Sequence, residues 1–135
     1  MITNINIEPR RNTVQRRVIL EAMKELNIHA TAEQVFDHIH KKHPSISRAT
    51  VYRNLGQMAE SGELINIGSF FGSAHYDHNR RKHYHFICEK CRQIFDVNNY
   101  FHDIFGKISG MDGFEFRSHN LTFSGLCRDC KDQQI

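Results

Sequence analysis

Ser47-Arg-Ala-Thr-Val-Tyr-Arg-Asn-Leu55 opens on a hydroxyl residue suited to an N-cap, and Val51, Leu55, Met58 and Ala59 then recur at helical spacing. The pattern predicts a helix that starts at Ser47 and stops at Gly62, a residue free to take the left-handed conformation that ends helices. Upstream, Thr31-Ala-Glu-Gln34 matches a capping box, in which hydroxyl and amide side chains satisfy each other's unpaired backbone donors. Val35, Phe36 and Ile39 continue that second helix, and Pro44 closes it. From Asn12 to Leu26 the residues Val14, Val18, Ala22, Met23 and Leu26 give a first amphipathic helix, which Asn27-Ile-His-Ala30 breaks. The second and third helices are short and tightly joined. With Arg48, Thr50, Tyr52 and Arg53 on the expected exposed side of the third, they form a helix-turn-helix candidate.

Beyond the third helix, Leu64-Ile-Asn-Ile67 and Ala74-His-Tyr-Asp77 flank a Phe-Phe-Gly-Ser turn and predict a β-hairpin, which makes the arrangement a winged helix. Asn79-Arg-Arg-Lys82 is polar and charged, as a linker is. Tyr84 to Ile87 and Gln93 to Val97 read as paired strands. Tyr100, Ile104, Phe105 and Ile108 read as a helical stripe ending near Gly110, and Phe114 to Ser124 as a further strand. The fold class is therefore α+β, with a winged helix over 1–78, a hinge over 79–82 and a small α/β domain over 83–135. No internal repeat or low-complexity tract interrupts it.

All four cysteines of this 135-residue chain fall in two Cys-x-x-Cys pairs, Cys88 with Cys91 and Cys127 with Cys130. Two intervening residues let both thiolates of a knuckle reach one ion, and two knuckles complete the sulfur tetrahedron that Zn²⁺ favours. A saturated four-thiolate site leaves no position for a substrate, so it braces rather than catalyses. A pair of disulfides is the competing reading and needs an oxidising compartment. With neither a signal peptide nor an apolar span of membrane length in view, the expectation is a cytoplasmic protein, zinc-bound and away from membranes. Two small domains of this size bury limited cores, and a zinc clip adds the missing stability.

The net charge of +3 suggests an anionic partner only weakly, but its distribution says more. Arg10, Arg11, Arg16, Arg48 and Arg53 all lie in the first half. A helix fits the major groove of double-stranded DNA, where Arg donates to guanine edges and Thr50 and Tyr52 meet thymine methyls or phosphates. Arg10, Arg11 and Arg16 would neutralise the flanking backbone. The bland alternative is a three-helix protein-interaction module with a solvated basic face. His83-x-His85 lies on a predicted strand, where alternate residues share a face, so both imidazoles can meet one ion. Asp77 and Asp96 are the nearest carboxylates in sequence. Surface histidines are the competing reading, and imidazole with carboxylate suits Fe²⁺, Mn²⁺ or Zn²⁺.

The string Ser47 to Leu55, followed by His83-Tyr-His-Phe-Ile-Cys-Glu-Lys-Cys91 and the terminal Cys127-x-x-Cys130, resembles the ferric uptake regulator (Fur) family over nearly the whole chain. The resemblance implies a metal-dependent repressor that binds palindromic operator DNA as a homodimer, with residues 83–135 forming the dimerisation and metal-binding domain. It also implies a regulatory Fe²⁺ or Mn²⁺ site, which falls on His29, Asp77, His83, His85 and Asp96. The peroxide-sensing branch has this set, whereas the iron-responsive branch commonly has Glu where Asp96 stands. Arg53 after Tyr52 resembles the iron-responsive branch instead, so operator choice stays open. Lys82-His-Tyr-His85 departs from the His-His-Asp-His that a further metal site in some family members needs, and that site is not expected.

Peroxide sensing would then run through Fe²⁺-catalysed oxidation of a histidine ligand, His29 or His83. The alternative is an iron-responsive repressor with Fe²⁺ as reversible corepressor. A small metalloenzyme is the remaining class, but the sequence offers no activated nucleophile or dedicated general base outside the ligands, so no catalytic residues are expected. A salt-dependent shift with palindromic DNA that Arg53→Ala abolishes would separate regulator from enzyme.

Overall fold

The computed structural model describes residues 11–133. The chain divides between Arg80 and Arg81 into two compact units. In the first, helices α1 (Arg11–Leu26), α2 (Ala32–His40) and α3 (Arg48–Glu60) pack against a small sheet of β1 (Ala30–Thr31), β2 (Ile65–Phe70) and β3 (Ser73–Asp77), ordered β1-β3-β2 with antiparallel pairing throughout. The local chemistry is as expected at each boundary. The Thr31 hydroxyl accepts the Gln34 amide and the Gln34 side chain accepts the Thr31 amide, closing the capping box. The Ser47 hydroxyl accepts the Thr50 amide at the start of α3, and Gly62 follows the helix with φ +85°. α2 stops at His40, short of Pro44.

The core of this unit is formed by Ile19 and Met23 of α1, Val35 and Ile39 of α2, Val51, Leu55 and Met58 of α3, and Leu64. The buried stripe of α1 is therefore rotated from the expected one. Ile19 faces inward and Val14 is 45% exposed, because α1 turns towards α2 and α3 the face that carries Ile19, Ala22 and Met23. The hairpin also tightens relative to expectation. β2 runs on to Phe70 and β3 starts at Ser73, leaving Phe71 and Gly72 as a two-residue turn with φ +58° and +89°. Two positive φ values are what a type I′ connection needs to match strand twist. The segment before Thr31, expected as a break, ends in β1, which pairs with β3 as a third strand.

In the second unit β4 (Tyr84–Cys88) lies between β5 (Ile94–Val97), antiparallel, and β6 (Thr122–Gly125), parallel. The helix expected over Tyr100 to Ile108 is a single 3-10 turn, Ile104–Lys107, with no buried residue and no side-chain cap from Asp103. Helices draw most of their stability from burying a face, and here Phe101 and Ile108 are each 49% exposed. The strand expected from Phe114 shortens to β6, whose pairing with β4 begins where the Leu121 carbonyl accepts the His85 amide, and Phe114 to Asn120 takes no strand conformation. Tyr84, by contrast, is buried, and its hydroxyl accepts the Phe101 amide at 3.0 Å and lies 2.8 Å from His119 Nε2, tying both loops to β4.

Truncating a fully buried side chain removes transfer energy and leaves a cavity, so Leu55→Ala should lower unfolding stability by about 3 kcal/mol. Val14→Ala should change it by less than about 0.5 kcal/mol. Urea denaturation followed by circular dichroism checks this order, which the original stripe on α1 would not give.

Candidate functional site

The parallel register of β4 with β6 builds the sulfur site. Cys88, the last residue of β4, pairs with Gly125, and the chain needs only two more residues to bring Cys127 alongside it. The Glu89 amide donates to the Gly125 carbonyl at 2.8 Å and continues the ladder past the strand end. Each knuckle then turns tightly. Arg92, at φ +65°, returns its amide to the Cys88 carbonyl, and the Cys130 amide donates to the Cys127 carbonyl. As a result Cys88, Cys91, Cys127 and Cys130 place their sulfurs within 4.8 Å of one another, with Cys91 Sγ 3.9 Å from Cys127 Sγ. All four are free thiols, which removes the disulfide reading.

The electrostatics of this set fit a cation. Burial raises the Cys88 thiol, but amides of Cys91, Cys127 and Lys90 donate to its sulfur and bring it down to about 6. Burial, with the neighbouring sulfurs of Cys127, Cys88 and Cys91, pushes Cys130 up to about 12. The neighbouring sulfurs thus oppose ionisation of Cys130, and a divalent ion at their centre relieves that opposition. The residues fit tetrahedral Zn²⁺, with the amide donors to Cys88 as outer support.

The second group of ligand candidates is also set by strand register. In the first unit Ala30 pairs with Tyr76 and Thr31 with His75, so the next step outward sets His29 opposite Asp77. His29 Nε2 stands 3.4 Å from Asp77 Oδ2, while Asp77 Oδ1 accepts the Asn79 amide at 2.9 Å. In the second unit His85 pairs directly with Asp96 across β4 and β5. His83, two residues earlier, lies on the same face, its ring centroid 4.5 Å from that of His85. Asp96 Oδ1 is 3.2 Å from His83 Nε2 and 3.7 Å from His85 Nε2. The Nδ1 of His83 faces the Arg81 carbonyl, so it carries the proton and turns Nε2 towards Asp96.

The basic residues divide into three groups. Arg10 and the side chain of Arg11 lie outside the described residues. Arg16, expected on the flanking backbone, is paired with Glu63 at 2.7 Å, and Arg48, expected on the groove-facing side of α3, with Glu33 at 2.9 Å, so both already have carboxylate partners. Thr50 is half-buried in the N-terminal turn of α3, its hydroxyl taking a hydrogen bond from Ser47 at 3.0 Å. Tyr52 and Arg53 are exposed. Sequence reasoning missed Glu33, which accepts from Arg48 and Tyr52, and Phe36, whose ring underlies the Arg48 guanidinium. These contacts join two helices and leave no local spacing signal.

With the fold and both ligand groups defined, the relatives are informative. The family model of the ferric uptake regulator family matches residues 9–124. Peroxide-responsive repressor PerR of Staphylococcus epidermidis is 31% identical over 124 residues, spanning 91% of this chain and 83% of that one. The solved structure of a Campylobacter jejuni peroxide stress regulator is similar with a TM-score of 0.74 at 27% identity, covering 89% of this chain and 91% of that one. A zinc uptake regulator complexed with zinc and DNA is similar with a TM-score of 0.68 at 25% identity, over 91% and 85% of the two chains. The chain belongs to the ferric uptake regulator family, a class of metal-responsive regulators built from a winged helix and a dimerisation domain. Among the described residues no helix is long and apolar enough to cross a membrane.

Because free energy of metal binding to such a site is free energy of folding, stripping zinc with a strong chelator should unfold the second unit. The expected result is loss of its near-ultraviolet tyrosine signal with most helical circular dichroism retained. Native mass spectrometry of the untreated protein should show a single bound zinc per chain, absent after Cys127→Ser.

Proposed function

We propose that this chain is a cytoplasmic metal-gated transcriptional repressor that binds palindromic operator DNA as a homodimer and senses peroxide through oxidation of a ligand histidine. One observation carries the reading: each compact unit holds an incomplete ligand set aligned by strand register, His29 with Asp77 in one and His83, His85 and Asp96 in the other. Three imidazoles and two carboxylates suit Fe²⁺ or Mn²⁺, and every thiol is committed to zinc. A single ion taken by all five, across a hinge at 79–82, selects one mutual orientation of the units. In a homodimer that orientation sets two α3 helices about one turn of DNA apart.

Bound Fe²⁺ would supply redox chemistry by which hydrogen peroxide gives one oxygen to a ring carbon and leaves as water, and bound Mn²⁺ would supply the same coordination without it. The chain's own residues do the rest. His83, turned by the Arg81 carbonyl, offers Nε2, and Asp96 is shared with His85. An imidazole carbon of His29 or His83 that gains oxygen leaves a ring that donates poorly, so affinity falls and the hinge is released. On the DNA side, α3 offers the major groove the face that carries Arg48, Thr50, Tyr52 and Arg53, with Arg48 already paired to Glu33, and Arg10, Arg11 and Arg16 are the candidates for the flanking backbone. The peroxide-responsive relatives favour this reading over an iron-responsive repressor with the same ligands.

Linkage requires reciprocity, so a palindromic duplex that binds the protein should tighten Mn²⁺ binding by about tenfold or more, measured by calorimetry with and without DNA. Equal affinities would remove the gating. After exposure of the Fe²⁺ form to peroxide, peptide mass spectrometry should show an added oxygen on His29 or His83, and none in the Mn²⁺ form. Unmodified histidines in both would return the chain to reversible iron sensing.

A further inference from the structure

Glu33 stands on the first turn of α2 and is used by neither ligand set. Its two oxygens take Arg48 as a fork, Nε to Oε1 at 3.0 Å and Nη2 to Oε2 at 2.9 Å. Oε1 also accepts the Tyr52 hydroxyl at 3.0 Å, and the Arg48 guanidinium lies 4.5 Å above the centre of the Phe36 ring. Arg48 and Tyr52 are one turn apart on α3, and Glu33 and Phe36 are three apart on α2, so one face of each helix contributes a pair. The cluster is at the surface, with the Arg48 side chain 57% exposed and that of Glu33 45%. Hydrogen bonds from Arg48 and then Tyr52 hold the Glu33 carboxyl below its ordinary range, so it is charged at neutral pH.

We infer that Glu33 is a positioning residue that sets the sequence specificity of the DNA-binding face, by fixing what Arg48 and Tyr52 can offer a duplex. The inference rests on α3 being the recognition helix. A guanidinium bound through its fork to a carboxylate contributes no net charge, so Arg48 is withheld from phosphate neutralisation. A phenol has one proton, and that of Tyr52 is given to Glu33. Towards DNA its oxygen therefore only accepts. This favours an adenine or cytosine amino group, or a thymine methyl against the ring, over the acceptor edge of guanine. Arg53, exposed beside Tyr52 and with no ion pair among the described residues, is left as the donor to guanine or phosphate.

The test uses the full-length, Mn²⁺-loaded chain and a random-sequence duplex library, comparing wild type with Glu33→Gln and Glu33→Ala. Salt titrations then follow on the duplex that wild type enriches. Freeing Arg48 should steepen the log K against log salt slope by about 0.9 per subunit in both variants, because one more phosphate is neutralised. Glu33→Ala should also lose about tenfold discrimination at the base facing Tyr52, while Glu33→Gln, which keeps one acceptor and the shape of α2, should retain more of it. A purely structural role would weaken all duplexes equally and leave slope and motif alone. An unchanged motif and slope in the folded Glu33→Gln protein overturns the inference. A wild-type protein that enriches no duplex overturns the repressor reading itself, and that arm reports it separately.

Discussion

Strand register is the constraint on which this chain's chemistry depends. Three pairings place every ligand candidate: Ala30 with Tyr76, His85 with Asp96, and Cys88 with Gly125. Side chains alternate along a strand, so a slip of one residue in any of these would turn a ligand to the opposite face and leave its partners without a fourth or fifth donor. The register is protected by burial. Tyr76, Tyr84 and Ile87 are buried, the last two on opposite faces of β4, and sliding β3 or β4 by one step would exchange each with a neighbour of different size and polarity in a packed site. Packing thus specifies positions for groups whose own attractions, imidazole to carboxylate, join them only in pairs.

β4 contributes to both ligand groups. It carries His85 and, three residues on, Cys88, an odd separation that sets them on opposite faces of one strand. The sulfur site locks β4 to β6 and to the chain's last knuckle, and the strand so held presents His85 to Asp96 of β5. Zinc at the sulfur site would therefore steady the His85–Asp96 pair without sharing a ligand with it. The same division of labour appears in the winged helix, where Val51, Leu55 and Met58 anchor α3 from within while Tyr52 and Arg53 are presented outward.

Features with a local cause were legible in the sequence. The capping box at Thr31 and Gln34, the N-cap at Ser47 and the left-handed Gly62 each involve residues within a few positions of one another. The two Cys-x-x-Cys knuckles and the His83-x-His85 pair were legible for the same reason. Features with a tertiary cause were not. β1 has two residues, and only β3 makes it a strand. The periodic stripe from Tyr100 to Ile108 promised a helix, but periodicity helps only where a surface exists to receive it, and Tyr100, Ile104 and Phe105 are only half-buried while Ile108 is exposed. Ile19 displaced Val14 because helix packing, not spacing, chooses which of two overlapping stripes faces inward. His29 had no pattern of its own and was identified through the family resemblance; its opposition to Asp77 becomes visible only once β1 exists.

Ligand hardness separates the two sites. Thiolates bind Zn²⁺ far more strongly than they bind Mn²⁺, and a closed sulfur tetrahedron leaves no position at which an oxidant can be coordinated. Because both knuckles use every cysteine, the imidazole and carboxylate set contains no thiolate to draw zinc or copper away from the first site. Affinity there must come instead from the number of donors and their alignment. In the proposed gating, a set split between two compact units would reach full strength only when both contribute, which is why weak individual donors suit a switch. On that proposal a stronger ligand in either unit would hold the ion without the other and weaken the coupling to DNA.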